Sequence, residues 1–508
     1  MSHITLLPYE IFVLIANYLD KNDLAVATRT CRQLERHFTP RLWRVFVLRG
    51  SRRGKYHSID AVTKNAPSVH SLEYVGTPPR LYYTIAYPNL KTLHVDLPMT
   101  IADIQHARIR LLNIDNSTLV SRNPTITHLY IKSGDFETNN GFWESVFMTL
   151  KNPRRLDFHG FRVLQGDALD WFWRACTRFE EISVSGHGFA NSPVLSTVSF
   201  SRIQRLTVYL RAHIPRGTTA GGSIEWFKMC PNLTKLHTFD YGAEFPIEAF
   251  AKALEQHTWT RLTDLALIGC VGSDDRLSLI MRHLPPLEHF QHDSRGFGPQ
   301  SFAFLQQRLF DNVRTLDMQG CHGLLSRMIL DILKGCPLLE VFKGFSISVT
   351  DIRSNPEPWI CLRLKHLEVF FVTDPTRLGD DCELVFEQLS RLERLETLDL
   401  DLHFTWTFSW DILDQINGQV SLRWRLDSGL HHLSTLRRLR TLVINSSFCD
   451  ARMEDVQWML DRWPDLKKVT CSLSQDPVTK KRCVGLFEQH NVILKLNDGW
   501  GNNIEADD

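Results

Sequence analysis

Three groups of side chains in the sequence have types and spacing that suggest chemistry. Asp399 and Asp401 alternate on a short strand pattern, so they share one face and resemble a paired-carboxylate site. Cys321-His322 and His431-His432 carry thiol and imidazole groups of the kind that bind metal ions. A structural zinc site needs four ligands at characteristic spacing, and none of the 11 cysteines forms a CxxC pair. We therefore expect the two aspartates to be solvated rather than catalytic, and we predict no bound metal.

Motifs for phosphate binding and nucleophilic catalysis do not occur in the sequence. It contains no GxxxxGK[ST], GxGxxG or GxSxG pattern, so we predict a protein that is not an enzyme and has no cofactor. The 58 basic and 57 acidic side chains give a net charge of +1, which argues against nucleic acid as a partner. Because no run of about 18 apolar residues is present, we also predict no membrane partner.

The stretch from Leu7 to Phe46 predicts three short helices. Pro8 suits a first helical turn, and apolar residues then recur at helical spacing. Asp23 is the expected cap of a second helix, and a third runs from about Thr30 to Phe38, before a proline. So few residues cannot enclose all of these apolar side chains. The surplus must cover either the following domain or another protein.

This stretch resembles an F-box in the order and spacing of Leu7-Pro8-x-Glu10-Ile11, Ile15, Leu19, Asp23-Leu24, Cys31-Arg32, Leu34 and Leu42-Trp43. The resemblance implies docking on the Skp adaptor of a Skp–cullin–F-box ubiquitin ligase, and through it on cullin. The adaptor contacts that it implies are Leu7, Pro8, Ile11, Ile15, Leu19, Leu24, Leu34, Leu42 and Trp43. Thr30 departs from the family, which more often has an apolar residue there. The alternative that the helices only cap the following array stays open.

The chain beyond Ala66 repeats one pattern: apolar, two polar residues, then apolar-x-apolar. Examples are Leu90–Val95, Ile109–Ile114 and Ile203–Val208. Central copies begin about 24 to 30 residues apart, which is the period of leucine-rich repeats. The apolar-x-apolar core predicts a short strand, and helical patterns such as IEAFAKAL lie between the strands.

Residues 66–496 thus resemble the leucine-rich-repeat family. Cys270 and Cys321 follow two of the strands, as in the cysteine-containing subtype, and are expected to be small buried residues. The predicted fold class is α/β: a short N-terminal three-helix F-box and an irregular solenoid with a curved parallel sheet on its concave side and helices on its convex side. The predicted domains are residues 1–48 (F-box), 49–65 (linker), 66–496 (solenoid) and 497–508 (disordered tail). Two insertions are expected at Arg211–Ser223 and Phe404–Arg425.

A target is expected on the concave side, where the residue between the two buried positions of each strand is exposed. The residues that we select there are His94, Tyr130, Asp157, His237, Asp317, Glu368 and Asp399. Acidic residues gather in the second half, interrupted by Lys343, so a basic segment of a target would complement that half. The alternative is that this face is polar simply because water covers it.

Together these features predict a non-catalytic substrate-recognition subunit of a Skp–cullin–F-box ubiquitin ligase. The alternative is a leucine-rich-repeat scaffold without a role in ubiquitin transfer. The target is an unidentified protein. Scattered cysteines without close spacing suggest reduced thiols, so we expect a cytoplasmic or nuclear location.

Overall fold

A computed structural model of the chain describes residues 7–49, 56–76, 79–96, 118–132, 140–161, 166–186, 197–211, 221–241, 245–270, 272–401, 422–444, 451–471, 473 and 476–496. The chain divides into two compact units. The first unit is residues 1–243 with 259–261, and the second is residues 244–258 with 262–508. None of the helices in the described part of the chain combines the length and apolar composition of a membrane-spanning helix.

The first unit begins with three helices, α1 (Tyr9–Tyr18), α2 (Lys21–Ala27) and α3 (Arg32–Leu42). Asp20 caps α2, because its Oδ1 accepts a hydrogen bond from the backbone N–H of Asp23 at 2.8 Å. The prediction of Asp23 as the cap is therefore wrong. The third helix also continues past its predicted end. Pro40 lies in its last turn, where a missing N–H removes a single hydrogen bond.

The core of these helices consists of Phe12, Ala16, Leu24 and Phe38. The Phe12 ring also stacks on His37, with 4.5 Å between the ring centroids. Phe12 and Ala16 are four residues apart and therefore lie on the same side of α1. Burial of one large side chain of this kind stabilises the fold by about 2–3 kcal/mol. The sequence pattern missed Phe12 as the central core residue of this domain.

Among the described residues of the first unit, eight strands form a parallel sheet, each paired with its successor in the chain. They are β1 (Val45–Arg49), β2 (Ser71–Val75), β3 (Thr92–Asp96), β4 (His128–Lys132), β5 (Arg155–Phe161), β6 (Glu181–Gly186), β7 (Arg205–Arg211) and β8 (Lys235–Tyr241). Each strand contributes one buried apolar residue that pairs in register with the equivalent residue of the following strand. These residues are Phe46, Leu72, Leu93, Leu129, Leu156, Ile182, Leu206 and Leu236.

Helices connect these strands and cover the buried side of the sheet. They are α4 (Ile59–Asn65), α5 (Asn140–Thr149), α6 (Gly166–Cys176) and α7 (Gly221–Lys228), with 3-10 turns at Ala66–Ser68 and Arg80–Thr84. Trp143, Trp173 and Trp226 are completely buried on these helices. The rings of Trp173 and Trp226 are 5.0 Å apart, so aromatic packing links α6 to α7.

The sheet begins earlier than the sequence pattern predicts. Val45 of β1 pairs with Ser71 of β2, so the first strand precedes the predicted solenoid boundary at residue 66. Part of the predicted linker is helix α4, in which Val62 is buried and Ser58 caps the first turn. The pattern does not predict β1 as a strand, because apolar Val45 stands where the repeats have their second polar residue.

The described part of the second unit contains nine parallel strands, again paired in chain order. They are β9 (Asp264–Ile268), β10 (His289–Asp293), β11 (Thr315–Asp317), β12 (Val341–Ser348), β13 (His366–Val372), β14 (Thr397–Leu400), β15 (Thr441–Ile444), β16 (Lys468–Cys471) and β17 (Ile493–Leu496). The last of them, β17, pairs with β16.

The helices of this unit are α8 (Ile247–Glu255), α9 (Asp274–Arg282), α10 (Pro299–Leu309), α11 (Ser326–Gly335), α12 (Val349–Ser354), α13 (Leu378–Ser390), α14 (Met453–Arg462) and α15 (Pro477–Gln489). The described part of this unit also contains three 3-10 turns, at Pro375–Arg377, Leu426–Ser428 and Leu430–Thr435. Repeated strand–helix segments on parallel ladders confirm the predicted α/β class and leucine-rich-repeat architecture. The strand predicted at Ile109–Ile114, most of both predicted insertions and the tail from residue 497 lie outside the described residues.

Candidate partner-binding surfaces

The N-terminal helices expose apolar side chains that their own core does not use. Ile11, Leu14 and Tyr18 on α1 are exposed, and Tyr18 is 90% exposed. Their spacing of three and four residues places them along one side of the helix, which we call the apolar stripe. Val26 on α2 is exposed as well. Because Phe12 and Ala16 already fill the interior, these side chains form a surface suited to another protein.

The residues implied as adaptor contacts fall into distinct groups. Pro8 and Ile11 are exposed, whereas Leu7, Ile15, Leu19, Leu34 and Leu42 are partly buried against the core of the three helices. Leu24 is 7% exposed and belongs to that core, so little of its side chain is accessible to a partner. Its place in the F-box pattern reflects packing. Trp43 is partly buried, with its ring 5.0 Å from Phe46 and 5.4 Å from His57.

Three further apolar residues, Leu14, Tyr18 and Val26, are exposed but are not among the predicted contacts. The signal for two of them was present, since Leu14 and Tyr18 follow Ile11 at helical spacing. Periodicity alone does not say which side of an apolar helix is buried. That choice depends on α3, which supplies Phe38 to the core.

The side of the first unit's sheet that faces away from the buried leucines carries polar and aromatic residues. We call it the open face. Its central row joins Glu73, His94, Tyr130, Asp157, Ser183, Thr207 and His237, each in register with the next strand. Three of the predicted target-binding residues, His94, Tyr130 and Asp157, therefore stand side by side on β3, β4 and β5. His237 lies on the same row three strands further on.

Aromatic rings form a continuous series across the open face, which we call the aromatic ladder. The ladder consists of His94, Tyr130, His159, Tyr209 and Phe239. The His94 and Tyr130 rings meet edge to face at 4.0 Å, and the Tyr209 and Phe239 rings stack at 4.3 Å. All five side chains are partly exposed. His159 and Phe239 were not predicted, although they lie two positions beyond the selected Asp157 and His237. Tyr209 was not predicted either, and it lies two positions beyond Thr207 of the central row.

Charges on the open face are largely paired. Arg155 donates two hydrogen bonds to Asp157, at 2.7 and 3.1 Å, and lies 3.4 Å from Glu181. Glu181 in turn accepts from Arg205 at 2.8 Å. Burial lowers the pKa of His159, and the nearby Asp157 carboxylate only partly offsets that effect. The two hydrogen bonds from Arg155 already neutralise the carboxylate of Asp157.

The corresponding row of the second unit joins Gln291, Asp317, Lys343, Glu368 and Asp399 in register. Glu368 is 6% exposed and Asp399 is 9% exposed, so the prediction that Asp399 is solvated is wrong. Asp399 Oδ1 instead accepts from the backbone N–H of Asp401 at 3.1 Å. The carboxylate turns back onto the end of its own strand, as short acidic side chains often do.

The acidic residues of this row are also partly compensated. Lys343 Nζ lies 3.2 Å from Glu368 Oε2, and the side-chain amide of Gln319 donates to Glu368 Oε1. Burial raises the pKa of Asp317, although Lys343 acts in the opposite direction. The second half of the sheet therefore has less unpaired negative charge than its residue types alone indicate.

Comparison with known protein families identifies the N-terminal helices. Residues 4–49 match a family model described as F-box-like. These residues are an F-box-like domain. The match includes α1, α2, α3 and β1, and the repeats lie outside it. No curated protein matches the chain.

Several solved structures are similar to this chain at low identity. One is the TLR13–ssRNA13 complex, at 12% identity over 89% of this chain and 83% of that chain, with a TM-score of 0.33. A second is the leucine-rich repeat-containing protein LegL7 from Legionella pneumophila, at 11% identity over 71% and 96%, with a TM-score of 0.31. A third is the Rad7–Elc1 complex of yeast, at 13% identity over 71% and 74%, with a TM-score of 0.28. Because these TM-scores are low, the assignment of the fold depends on the strand–helix repeats described above and not on these similarities.

The F-box-like domain continues directly into the sheet of the first unit. Its last residues form β1, and Lys21 Nζ of α2 donates to the carbonyl oxygen of Val45 at 3.4 Å. The contact between Trp43 and Phe46 adds apolar packing at the same junction. This side of the domain therefore contacts the repeats, while the apolar stripe remains exposed.

The candidate metal ligands do not form a cluster. Among the described residues, no group of three or more His, Cys, Asp or Glu side chains is placed to hold a metal ion. Cys270 and Cys321 are completely buried, as their expected packing role requires. Burial raises the pKa of Cys321, and its thiol donates to the carbonyl oxygen of His292 at 3.4 Å.

Proposed function

We propose that this protein is the target-binding subunit of a Skp–cullin–F-box ubiquitin ligase. The F-box-like domain docks on a Skp adaptor, and the repeats bind a target protein. The observation that carries the proposal is the apolar stripe of Ile11, Leu14 and Tyr18, exposed on a domain whose core is already filled. The chain itself performs no chemistry in this scheme. It holds a target near a ubiquitin-carrying partner, so that proximity raises the rate of transfer.

A second role for the same domain is supported by a specific observation. β1 pairs with β2, so the end of the F-box-like domain also covers the first edge of the sheet. Capping of this kind protects a terminal repeat from water. The two roles use different parts of the domain, because the stripe lies on α1 whereas the cap is β1. A repeat scaffold without a part in ubiquitin transfer would retain only the second role.

Adaptor binding is tested by placing a charge in the apolar stripe. The full-length Leu14→Glu variant is compared with Gln307→Glu, which adds the same charge to an exposed polar position on α10, outside the F-box-like domain. Binding to a purified Skp adaptor is measured by titration calorimetry. Leu14→Glu is expected to weaken binding about 30-fold or more, the effect of disrupting an interface hot spot. Gln307→Glu is expected to bind like the wild type.

Two outcomes would contradict the proposal. If wild-type protein does not bind the adaptor, or if Leu14→Glu binds as well as wild type, the stripe is not the docking surface. Ligase assembly is tested by adding purified cullin to the adaptor-bound chain. Recovery of cullin with the wild type and its loss with Leu14→Glu supports the ligase role, whereas adaptor binding without cullin favours the scaffold.

A further inference from the structure

We propose that the open face of the first unit binds an extended protein segment through a lysine or arginine side chain that reaches Glu73. The proposal deepens the function above by naming the chemistry of the target, and it rests on that function only in taking the bound segment to belong to a ligase target. Binding of a basic segment does not itself require the adaptor.

A cavity of about 360 Å³ lies on this face over β2 to β5. Glu73, His94, Tyr130, His128, Arg155 and Asp157 are among the residues that line it. The strand register places Glu73 beside His94, His94 beside Tyr130 and Tyr130 beside Asp157. Two aromatic rings therefore stand between two carboxylates, and neighbouring strands of a sheet are about 4.8 Å apart.

The two carboxylates differ in their partners. Asp157 is held by both hydrogen bonds from Arg155, so little of its charge remains for a ligand. Glu73 is partly exposed and forms no hydrogen bond or ion pair with another described residue. Glu73 and Asp157 carry two negative charges, and Arg155 carries one positive charge. The cavity thus has an excess negative charge, and Glu73 is the group that supplies it.

The rings beside Glu73 favour a cation with an apolar stem. The edge-to-face contact of His94 and Tyr130 leaves aromatic surface next to the carboxylate, and such surface attracts ammonium and guanidinium groups. Nε2 of His94 is buried and has no hydrogen-bond partner among the described residues. The alkyl stem of a lysine or arginine packs on the rings while its charged end pairs with Glu73.

The surrounding surface fits an extended segment rather than a small molecule. The aromatic ladder continues from Tyr130 through His159 to Tyr209 and Phe239, across strands beyond the cavity. Exposed aromatic residues of this kind are typical anchors at protein interfaces. The charges around them are paired by Arg155, Glu181 and Arg205, so selectivity for charge is concentrated at Glu73. A basic side chain at one position of an otherwise polar or apolar segment is the expected recognition element.

The test uses full-length protein and an array of synthetic 12-residue peptides of randomised sequence. Wild-type protein is expected to select lysine or arginine at one peptide position. For the tightest peptide, replacing that residue by norleucine is expected to weaken binding about tenfold. Glu73→Gln is expected to remove the preference and to weaken the original peptide by a similar factor. Glu73→Lys is expected to select aspartate or glutamate at the same position.

The matched control is Asp96→Asn. Asp96 also lies on the sheet of the first unit, but it pairs with Lys132 at 3.5 Å and does not line the cavity, so the preference should persist. Thermal unfolding shows whether each variant is folded. The proposal is overturned if no peptide binds, if no basic preference appears, or if Asp96→Asn and Glu73→Gln lose it equally. It is also overturned if free arginine amide binds as tightly as the peptide.

Adaptor binding is measured on the same protein preparations. If the adaptor fails to bind but the peptide preference depends on Glu73, the proposed ligase role is wrong and the basic-segment site stands. If the adaptor binds but the peptides show no such dependence, the ligase role stands and this inference is wrong.

Discussion

Lys343 on β12 and Glu368 on β13 form an ion pair of 3.2 Å between Nζ and Oε2. The Glu368 side chain is 8% exposed, whereas that of Lys343 is 32% exposed. The pair occupies the row on which the sequence predicted a free acidic surface for a basic target. Since a buried carboxylate without a partner is costly, the structural role of Glu368 competes with any role in binding.

Replacing Lys343 by Met is expected to destabilise the second unit by about 1–2 kcal/mol. The loss is smaller than for a fully buried pair because Lys343 is partly hydrated. Urea unfolding followed by circular dichroism measures it. Lys365→Met is the control, since Lys365 and Glu340 form a more exposed pair worth about 0–1 kcal/mol. Equal midpoints for both variants would show that Glu368 does not need its partner.

Phe12→Ala is expected to unfold the F-box-like domain, because it removes one of the two phenylalanine side chains in the core of a small unit. The expected cost is about 3–5 kcal/mol. Tyr18→Ala on the same helix is expected to change the free energy of unfolding by less than about 0.5 kcal/mol, since Tyr18 is almost fully exposed. Hydrogen exchange over residues 9–42 separates these cases. Lost protection in Tyr18→Ala would mean that the stripe belongs to the core.

His292 gives the second unit a pH-dependent stability. Burial lowers the pKa of this imidazole to about 4, and the Leu267 carbonyl oxygen, 3.1 Å from Nδ1, offsets that effect only in part. The unfolded chain binds the same proton near pH 6.5. The unfolded state therefore binds more protons between these values, so the free energy of unfolding falls as pH drops from about 6.5 to 4. The loss reaches about 3 kcal/mol at the acidic end.

The His292→Asn variant tests this effect, because its amide N–H can replace the donor to Leu267 but does not titrate. We expect a smaller fall in the urea midpoint between pH 7.5 and pH 5 than in the wild type. Other titrating groups are common to both proteins and cancel in the comparison. An unchanged pH dependence would assign the acid sensitivity to a group other than His292.

Asp274→Ala is expected to loosen the contact between two successive repeats. Asp274 on α9 accepts hydrogen bonds from the backbone N–H groups of Gln300 and Ser301 on α10, at 2.8 and 2.9 Å. It therefore caps the helix of the next repeat, and its loss is expected to cost about 1–2 kcal/mol. Faster hydrogen exchange in α10 and a lower urea midpoint measure the effect. Asp275→Ala, an exposed change in the same turn, should leave α10 protected.

The repeats were readable from the sequence because each one buries the same few positions. The apolar-x-apolar pattern located Leu93, Leu129 and Leu206 on strands, and the parallel register aligns them on one row across the sheet. Alternation also gave the correct open-face position for His94 and Tyr130. It did not give Tyr209 or Phe239, because β7 and β8 continue beyond the three-residue core of the repeat pattern.

The sequence by itself determined that an F-box-like segment precedes a series of strand–helix repeats, since both depend on local spacing of apolar residues. Only the tertiary structure decided which of those residues are available to partners. Leu24 is buried and Leu14 is exposed because α3 covers one side of the helices and leaves another uncovered. Likewise, Asp157 and Glu73 are equivalent carboxylates in the sequence pattern. Arg155 pairs with Asp157 but not with Glu73, because charge pairing depends on three-dimensional neighbours rather than on periodicity.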